Sequence, residues 1–454
     1  MRKTKEEIII GLYEMKKRVV GFSDTLLCAV SLLDYSSLVY HGANGYEIWT
    51  RALQKAVFDN ETVIIPPGIY YIDSTIVIPS KRKILANGAH IKKVPEMNTL
   101  LFRNEHLTDG SHKRVEEKDC DFNISIVGGI YEDTGEKWTF HHGLYDKDNG
   151  MPGVSACMCF INVRNLIISD VKIIRAGGFG IQLGYLTDGV IERVRFENTV
   201  ADGVHINGHT KNLLVRDVSG SVGDDIVAFN AYDWSASSVA FGPIENLFCE
   251  NIALSHDGRY KAIRILPGVY YYDNGEREDC YIKDVIIKGV RGVNTFKFYF
   301  QTPPYKIGQS AERGEGGRGD NLFIEDVEMD LYKPIDAFSE YLDGDKILGT
   351  FAAFELGSYF GRIEFSDIQL KIYKDKFPTS YFVSIGPKSI IRDGKEIFDP
   401  QENSVTKELI LKNVSVNKEK LSSENIGKYI HEIVFDNLYT GAVSQGKIEN
   451  ITFA

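Results

Sequence analysis

The sequence predicts an all-β chain, wound as a right-handed parallel β-helix (a solenoid) with a helical N-terminal cap. Three observations carry that expectation. First, a short pattern recurs: a polar residue, alternating apolar residues, then Asp or Asn and an aliphatic. It reads RNLIISDV at Arg164–Val171, KNLLVRDV at Lys211–Val218, ENLFCENI at Glu245–Ile252 and DNLFIEDV at Asp320–Val327. Second, the closing aliphatics Val171, Val194 and Val218 are 23 and 24 residues apart, a period that signals stacked coils. Third, apolar residues alternate with a period of two inside each copy, which is the mark of a strand and not of a helix.

Weaker copies are GRIEFSDI (Gly361–Ile368), KELILKNV (Lys407–Val414) and HEIVFDNL (His431–Leu438), and a degenerate copy, VIERVRF, covers Val190–Phe196. Val171, Val194 and Val218 are expected to form one buried column, with Leu166, Val190 and Leu213 beside it. Longer gaps, such as 34 residues from Val218 to Ile252, imply inserted loops. Leucine-rich repeats share the period but need several leucines at fixed offsets, which these copies lack. Gly177, Gly178, Gly203, Gly220 and Gly223 punctuate the expected turns, where a positive φ is often required.

Residues 1–44 read as the helical segment and 45–454 as one β-helix. Ile8, Leu12, Met15, Val19 and Leu26 recur at helical spacing between Lys5 and Leu33, and a helix covering the open barrel end is the expected role. GYEIWTRALQKAV (Gly45–Val57) reads as a second amphipathic helix, and the short strands of Glu61–Val94 start the coils.

Composition agrees. Strand formers are abundant, with 25 Phe and 24 Tyr against 13 Pro, and a solenoid of 454 residues needs no further domain. The formal net charge of −11 argues against nucleic acid, whose phosphates want a basic face. The six cysteines, Cys28, Cys120, Cys157, Cys159, Cys249 and Cys280, fit no zinc spacing and read as buried thiols. Thr25–Leu33 is too short an apolar run to span a bilayer, and no signal-peptide pattern opens the chain. A cytoplasmic protein is the expectation, a signal removed beforehand aside; the oligomeric state is not legible.

Chemistry concentrates between Asn198 and Asn230. Asp202 and Asp225 are 23 residues apart, which on stacked rungs places them roughly 5 Å apart, with Asp224 adjacent. Clustered carboxylates raise one another's proton affinity, so one can hold a proton while another stays ionised. Glycoside hydrolysis needs that division of labour. Gly-Asp-Asp also makes turns readily, but Asp202 in the preceding coil favours catalysis.

Two segments carry a family resemblance. Ala201-Asp202-Gly203 and GDDIVA at Gly223–Ala228 resemble the catalytic motifs of the polygalacturonases, glycoside hydrolase family 28. Trp49–Val57 followed by TVIIPPGIYYI resembles the opening of the pectate-lyase-like β-helix superfamily, and the topological likeness extends from about Gly45 to Ala454. The chain departs from the family in several places, one being SHDGR at Ser255–Arg259, with His256, where the family has a Gly-His-Gly turn. Val200-Ala201 separate Asn198-Thr199 from Asp202, His205 replaces a second Asp, and Leu266 stands where the family keeps a Lys. The resemblance implies inverting hydrolysis, with Asp224 as general acid and Asp202 and Asp225 activating water. It also implies that His205 or His256 tunes the acid and that Arg264 or Lys297 holds a substrate oxygen; sequence register leaves that second choice open. Trp234, and His141-His142 near Trp138, are candidates for stacking on sugar. Inserts after Ala231, Pro267 and Gln301 suggest a closed pocket suited to removing sugars from a chain end. The expected partner is an oligosaccharide or polysaccharide, with no membrane, metal or cofactor. A polysaccharide lyase with calcium on the same fold, and a non-catalytic carbohydrate-binding β-helix, are the alternatives.

Overall fold

The computed structural model describes residues 2–25, 28–95, 97, 99–106, 120–135, 156–233, 238–255, 262–272, 274–298, 317–331, 342–343, 346–347, 351–375, 378, 380–386, 389–392, 395–398, 404–436 and 443–454. They form a parallel β-helix. Its principal ladder is parallel throughout, and the closing aliphatics of the repeat form one column: Val194, Val218, Ile252, Val290, Val327, Ile368 and Val414. Val290 belongs to a copy the sequence pattern did not show, KDVIIKGV at Lys283–Val290, which fills the gap between Ile252 and Val327. The copy expected at His431–Leu438 is not one. Ile430–Glu432 pairs with Val383–Ile385 in a different column, and the last rung of the repeat is Val443–Phe453.

Asn and Asp turn the corners. Asn165, Asp188, Asn212, Asn246, Asp284 and Asn321 all take positive φ, between 57° and 64°. These side chains tolerate the left-handed region because they hydrogen-bond locally. They also bond along the stack: Asn212 donates to Asp188 at 2.7 Å, Asn246 to Asn212 at 2.6 Å and Asn321 to Asp284 at 2.6 Å. Of the five glycines assigned to turns, only Gly220 has a positive φ. Gly203 and Gly223 answer a different need, since a Cβ on Gly223 would lie 2.0 Å from the Val200 carbonyl oxygen and one on Gly203 2.6 Å from that of Ile226. They let adjacent coils close up beside the aspartates.

One register expectation is corrected. Gly189, not Val190, sits between Leu166 and Leu213 in the inner column, while Val190 pairs with Ile167 and Leu214 and faces outward. All three of these outward residues are nonetheless buried, because a helix covers them.

That helix is α1 (Lys5–Asp24), opened by a capping box between Thr4 and Glu7. It lies along a lateral face and not, as expected, over the open end. Its stripe of Ile8, Leu12, Met15 and Val19 packs on Ile167, Val190, Leu214, Phe248, Ile286 and Phe323, the outward residues of successive rungs. Charges border the stripe: Lys5 pairs with Glu325 at 2.6 Å, Arg18 with Asp188 at 2.6 Å, and Lys16 with Glu192. The place beneath the first coil belongs to α2 (Thr50–Asp59), whose Ala52, Leu53, Ala56 and Val57 enter the main core. Among the described residues no helix is long and apolar enough to cross a membrane. Cys157, Cys159, Cys249 and Cys280 are buried thiols, but Cys28 is exposed and Cys120 half-buried.

Candidate functional site

A second strand column builds the site. Gln182, His205, Ala228, Arg264, Lys297 and Glu355 occupy equivalent positions on successive rungs. Their neighbours in sequence, among them Val204 and Ile206, Ile263 and Ile265, and Phe296 and Phe298, fill the core. Period-two alternation therefore directs this polar column away from the core. Arg264 and Lys297, which sequence register could not separate, are stacked on adjacent rungs. Lys297 is only 2% exposed, so it is no ordinary surface lysine.

The three aspartates meet at the head of this column. Gly203 N–H donates to the Asp225 carbonyl at 2.9 Å, and Asp225 N–H donates to Asp202 Oδ1 at 3.0 Å, so the two rungs are tied together at these residues. One carboxylate oxygen from each of Asp202, Asp224 and Asp225 lies within 4.8 Å of the others. Arg264 grips two of them, with Nη2 3.2 Å from Asp224 Oδ1 and Nε 2.5 Å from Asp225 Oδ2. Asp202 is instead held by His205, whose Nδ1 lies 2.6 Å from Oδ2. Asp202 and Asp225 are buried, whereas the Asp224 side chain is 39% exposed and is the member of the trio open to a ligand.

Burial and crowding set the proton affinities. Asp224 is pushed up to about 6, first by its loss of solvent among the groove walls and then by the charges of Asp202 and Asp233; Arg264 and Lys297 pull the other way. Solvent at the open part of the side chain moderates the burial effect, and the charges of Asp202 and Asp233 act in the same direction. Asp225 is raised well above the carboxylate range, again by burial first and then by Asp224 and Asp202 against the pull of Arg264. His205 is opposed by burial, yet its bonds to Asp202 and Asp233 raise it to about 9. The cluster therefore holds protons on acids at a pH where exposed carboxylates have lost theirs.

Asp233 escaped the sequence reading. It lies 3.1 Å from His205 Nε2 and accepts from Asn230 Nδ2 at 3.0 Å. Asn207 and Asn230, paired on adjacent rungs two positions beyond His205 and Ala228, were missed too; the shared spacing of His-x-Asn and Ala-x-Asn was the available signal. His256, Trp234, Trp138 and His141-His142 lie outside the described residues.

The aspartate trio offers the oxygen donors a hard cation takes. The Arg264 guanidinium already supplies positive charge to two of its members and His205 to the third. Among the described residues a second donor group is Glu105, His106 and Asp121, in which His106 Nδ1 and Asp121 Oδ1 are 2.8 Å apart.

Fold and ladder together define a parallel β-helix protein with a carboxylate cluster on one face. No protein-family model and no curated protein sequence matches the chain. Solved structures do share the fold. One is a hyperthermoactive exopolygalacturonase from Thermotoga maritima, with 11% identity over 96% of each chain and a TM-score of 0.50. Another is a double-mutant tailspike protein of E. coli bacteriophage HK620, with 11% identity over 87% of this chain and a TM-score of 0.52. The chain spans 64% of that tailspike's length. At such identity the likeness concerns the fold.

Proposed function

We propose that the protein is a glycoside hydrolase acting on an oligosaccharide, with Asp224 as its general acid. The observation that carries this reading is Asp224 itself: the half-buried and most open member of a carboxylate trio, raised to about 6 by partial loss of solvent and by the charges of its neighbours. An acid of that kind keeps its proton in mildly acidic solution, where ordinary carboxylates have lost theirs, and can give it to the glycosidic oxygen as the C–O bond breaks. Water attacks the anomeric carbon. Asp202, fixed by His205 and by the Asp225 N–H, takes the water's proton, and Asp225, which holds its own proton more tightly, helps to position that water.

The reaction is assigned as a single displacement with inversion, as the family resemblance implies. The tight clustering favours a second reading, since oxygens within 4.8 Å fall short of the about 6.5–9.5 Å that leaves room for water between two carboxyls, and lie nearer the about 5–5.5 Å of retaining enzymes. Proton NMR of the first product formed separates the two by its anomer.

The substrate is assigned as a short, neutral or modified oligosaccharide from which sugars leave at the chain end. Arg264 is engaged by Asp224 and Asp225, and Leu266 is buried in the core, so neither is arranged as a grip for a uronic carboxylate. The name of the Thermotoga protein supports end-directed action. A product-resolved oligosaccharide screen tests the assignment. Release of single sugars, lost in Asp224→Asn, supports it. Vigorous random cleavage of polygalacturonate overturns the substrate, and an ultraviolet-absorbing unsaturated end shows a lyase instead. Binding without turnover leaves a carbohydrate-binding β-helix.

A further inference from the structure

His205 is enclosed in a way the hydrolase reading does not require. Its ring stacks on Phe179, with centroids 3.9 Å apart and planes 25° off parallel. Nδ1 faces Asp202 at 2.6 Å and Nε2 faces Asp233 at 3.1 Å. A neutral imidazole donates from one nitrogen only, so one of these carboxylates would meet a lone pair. The amide groups Asn207 Nδ2 and Asn230 Nδ2 also lie 3.3 Å from Nε2. An amide nitrogen carries two hydrogens, so either amide could serve a lone pair on Nε2; the nearest partner of Nε2, however, is the Asp233 carboxylate at 3.1 Å, which a lone pair there would repel. Among the described residues the charged groups that face the ring are Asp202 and Asp233, while Asp225, Asp224 and Arg264 stand beyond Asp202. Two buried carboxylates around one ring are best satisfied by an imidazolium.

We infer that Asp233 is a positioning residue for the proposed hydrolysis: it holds His205 as a two-proton cation, whose Nδ1–H fixes Asp202 as an anion beside Asp224 and Asp225. The inference rests on the hydrolase reading and adds a division of charge to it. Two aspartates retain protons, and the third is kept as acceptor by a cation at its back. Asp233 acts through His205 and does not touch substrate.

Two measurements on Asp233→Asn test this, read beside the native chain at matched thermal unfolding midpoints. Nitrogen-15 NMR of the histidines, with the His205 signal assigned by His205→Asn, needs no substrate. The native ring is expected to keep both protons at pH 8, and D233N to lose one by about pH 7, near the ordinary histidine value. Native titration in the ordinary range, or an unchanged ring in D233N, overturns the inference. In kinetics, D233N is expected to lower kcat about tenfold to hundredfold, less than the about 10²–10⁴-fold that acid–base catalysis supplies because Asp233 acts through His205, with KM unchanged and the acid limb of the pH profile moved upward. An unchanged profile overturns it. If D233N does not fold, Asp233→Glu serves in its place and is expected to retain the imidazolium; a Glu variant with an ordinary ring overturns the inference. The absence of any turnover by the native protein sinks the hydrolase reading, whereas a failed NMR arm sinks this inference alone.

Discussion

The α1 face and the aspartate face belong to two strand columns of the same coils and put charge to opposite uses. On the α1 face the centre is apolar and the charges stand at the rim, as between Lys5 and Glu325 or Arg18 and Asp188. Each rim pair contributes about 0–1 kcal/mol, whereas each buried side chain of the stripe contributes about 1.5–3 kcal/mol. On the aspartate face the charges are central: Asp202, His205, Asp225, Asp233 and Lys297 are all under 5% exposed. Buried charges cost desolvation that their partners only partly return. The first arrangement stabilises a fold. The second spends stability on a fixed pattern of charges, an arrangement that is concentrated at functional sites and that structural ion networks also show.

The largest expected effect separates the two faces directly. Asp224→Asn removes the proton donor without changing its shape, so turnover falls about 10²–10⁴-fold while the thermal unfolding midpoint holds. A large drop in the midpoint would place Asp224 among the structural residues. The converse substitution is Leu12→Ala on α1, which empties a fully buried site. Chemical denaturation should show a loss of about 2–5 kcal/mol, with kcat unchanged wherever the protein is folded.

A pH series sharpens the contrast. Asp224 must be protonated to act, so kcat/KM should fall about tenfold per pH unit above about 6. Stability should fall with rising pH as well. A histidine raised to about 9 contributes stability that is full below about 6.5 and is lost as the pH rises through 9, because the folded state binds the proton more tightly than the unfolded chain. Unfolding midpoints from pH 6 to 10 read this, and His205→Asn should flatten the slope. The smallest effect belongs to the rim: Lys16→Ala breaks the pair with Glu192 and should cost under about 1 kcal/mol, less at high salt.

The coils were legible because their corner residues are chemical necessities. A polar residue that tolerates positive φ must precede the inner aliphatic, so Asn165, Asn212, Asn246 and Asn321 announce the repeat. Val190 was misplaced because its copy carries Asp188-Gly189 in that position, leaving no large inner residue to set the register. The seat of α1 was written in the doubled apolar pairs Leu166-Ile167, Leu213-Leu214, Leu247-Phe248 and Leu322-Phe323, which demand cover on both faces of the sheet. The convergence of the three aspartates followed from the coil period. Asp233 did not, because it reaches His205 across a turn that no repeat governs.

The docking of α1 also imposes an order in time. Lys5 meets Glu325, 320 positions later in the chain, and Phe323 closes the stripe that α1 covers. A ribosome therefore releases the helix first and its last seat long afterwards. Until that coil is wound, the end of α1 that packs on Phe323 lacks its seat. A chain cut short before Phe323 would lack the last seat of the stripe, so the helix closes fully only when the coil of Phe323 is in place.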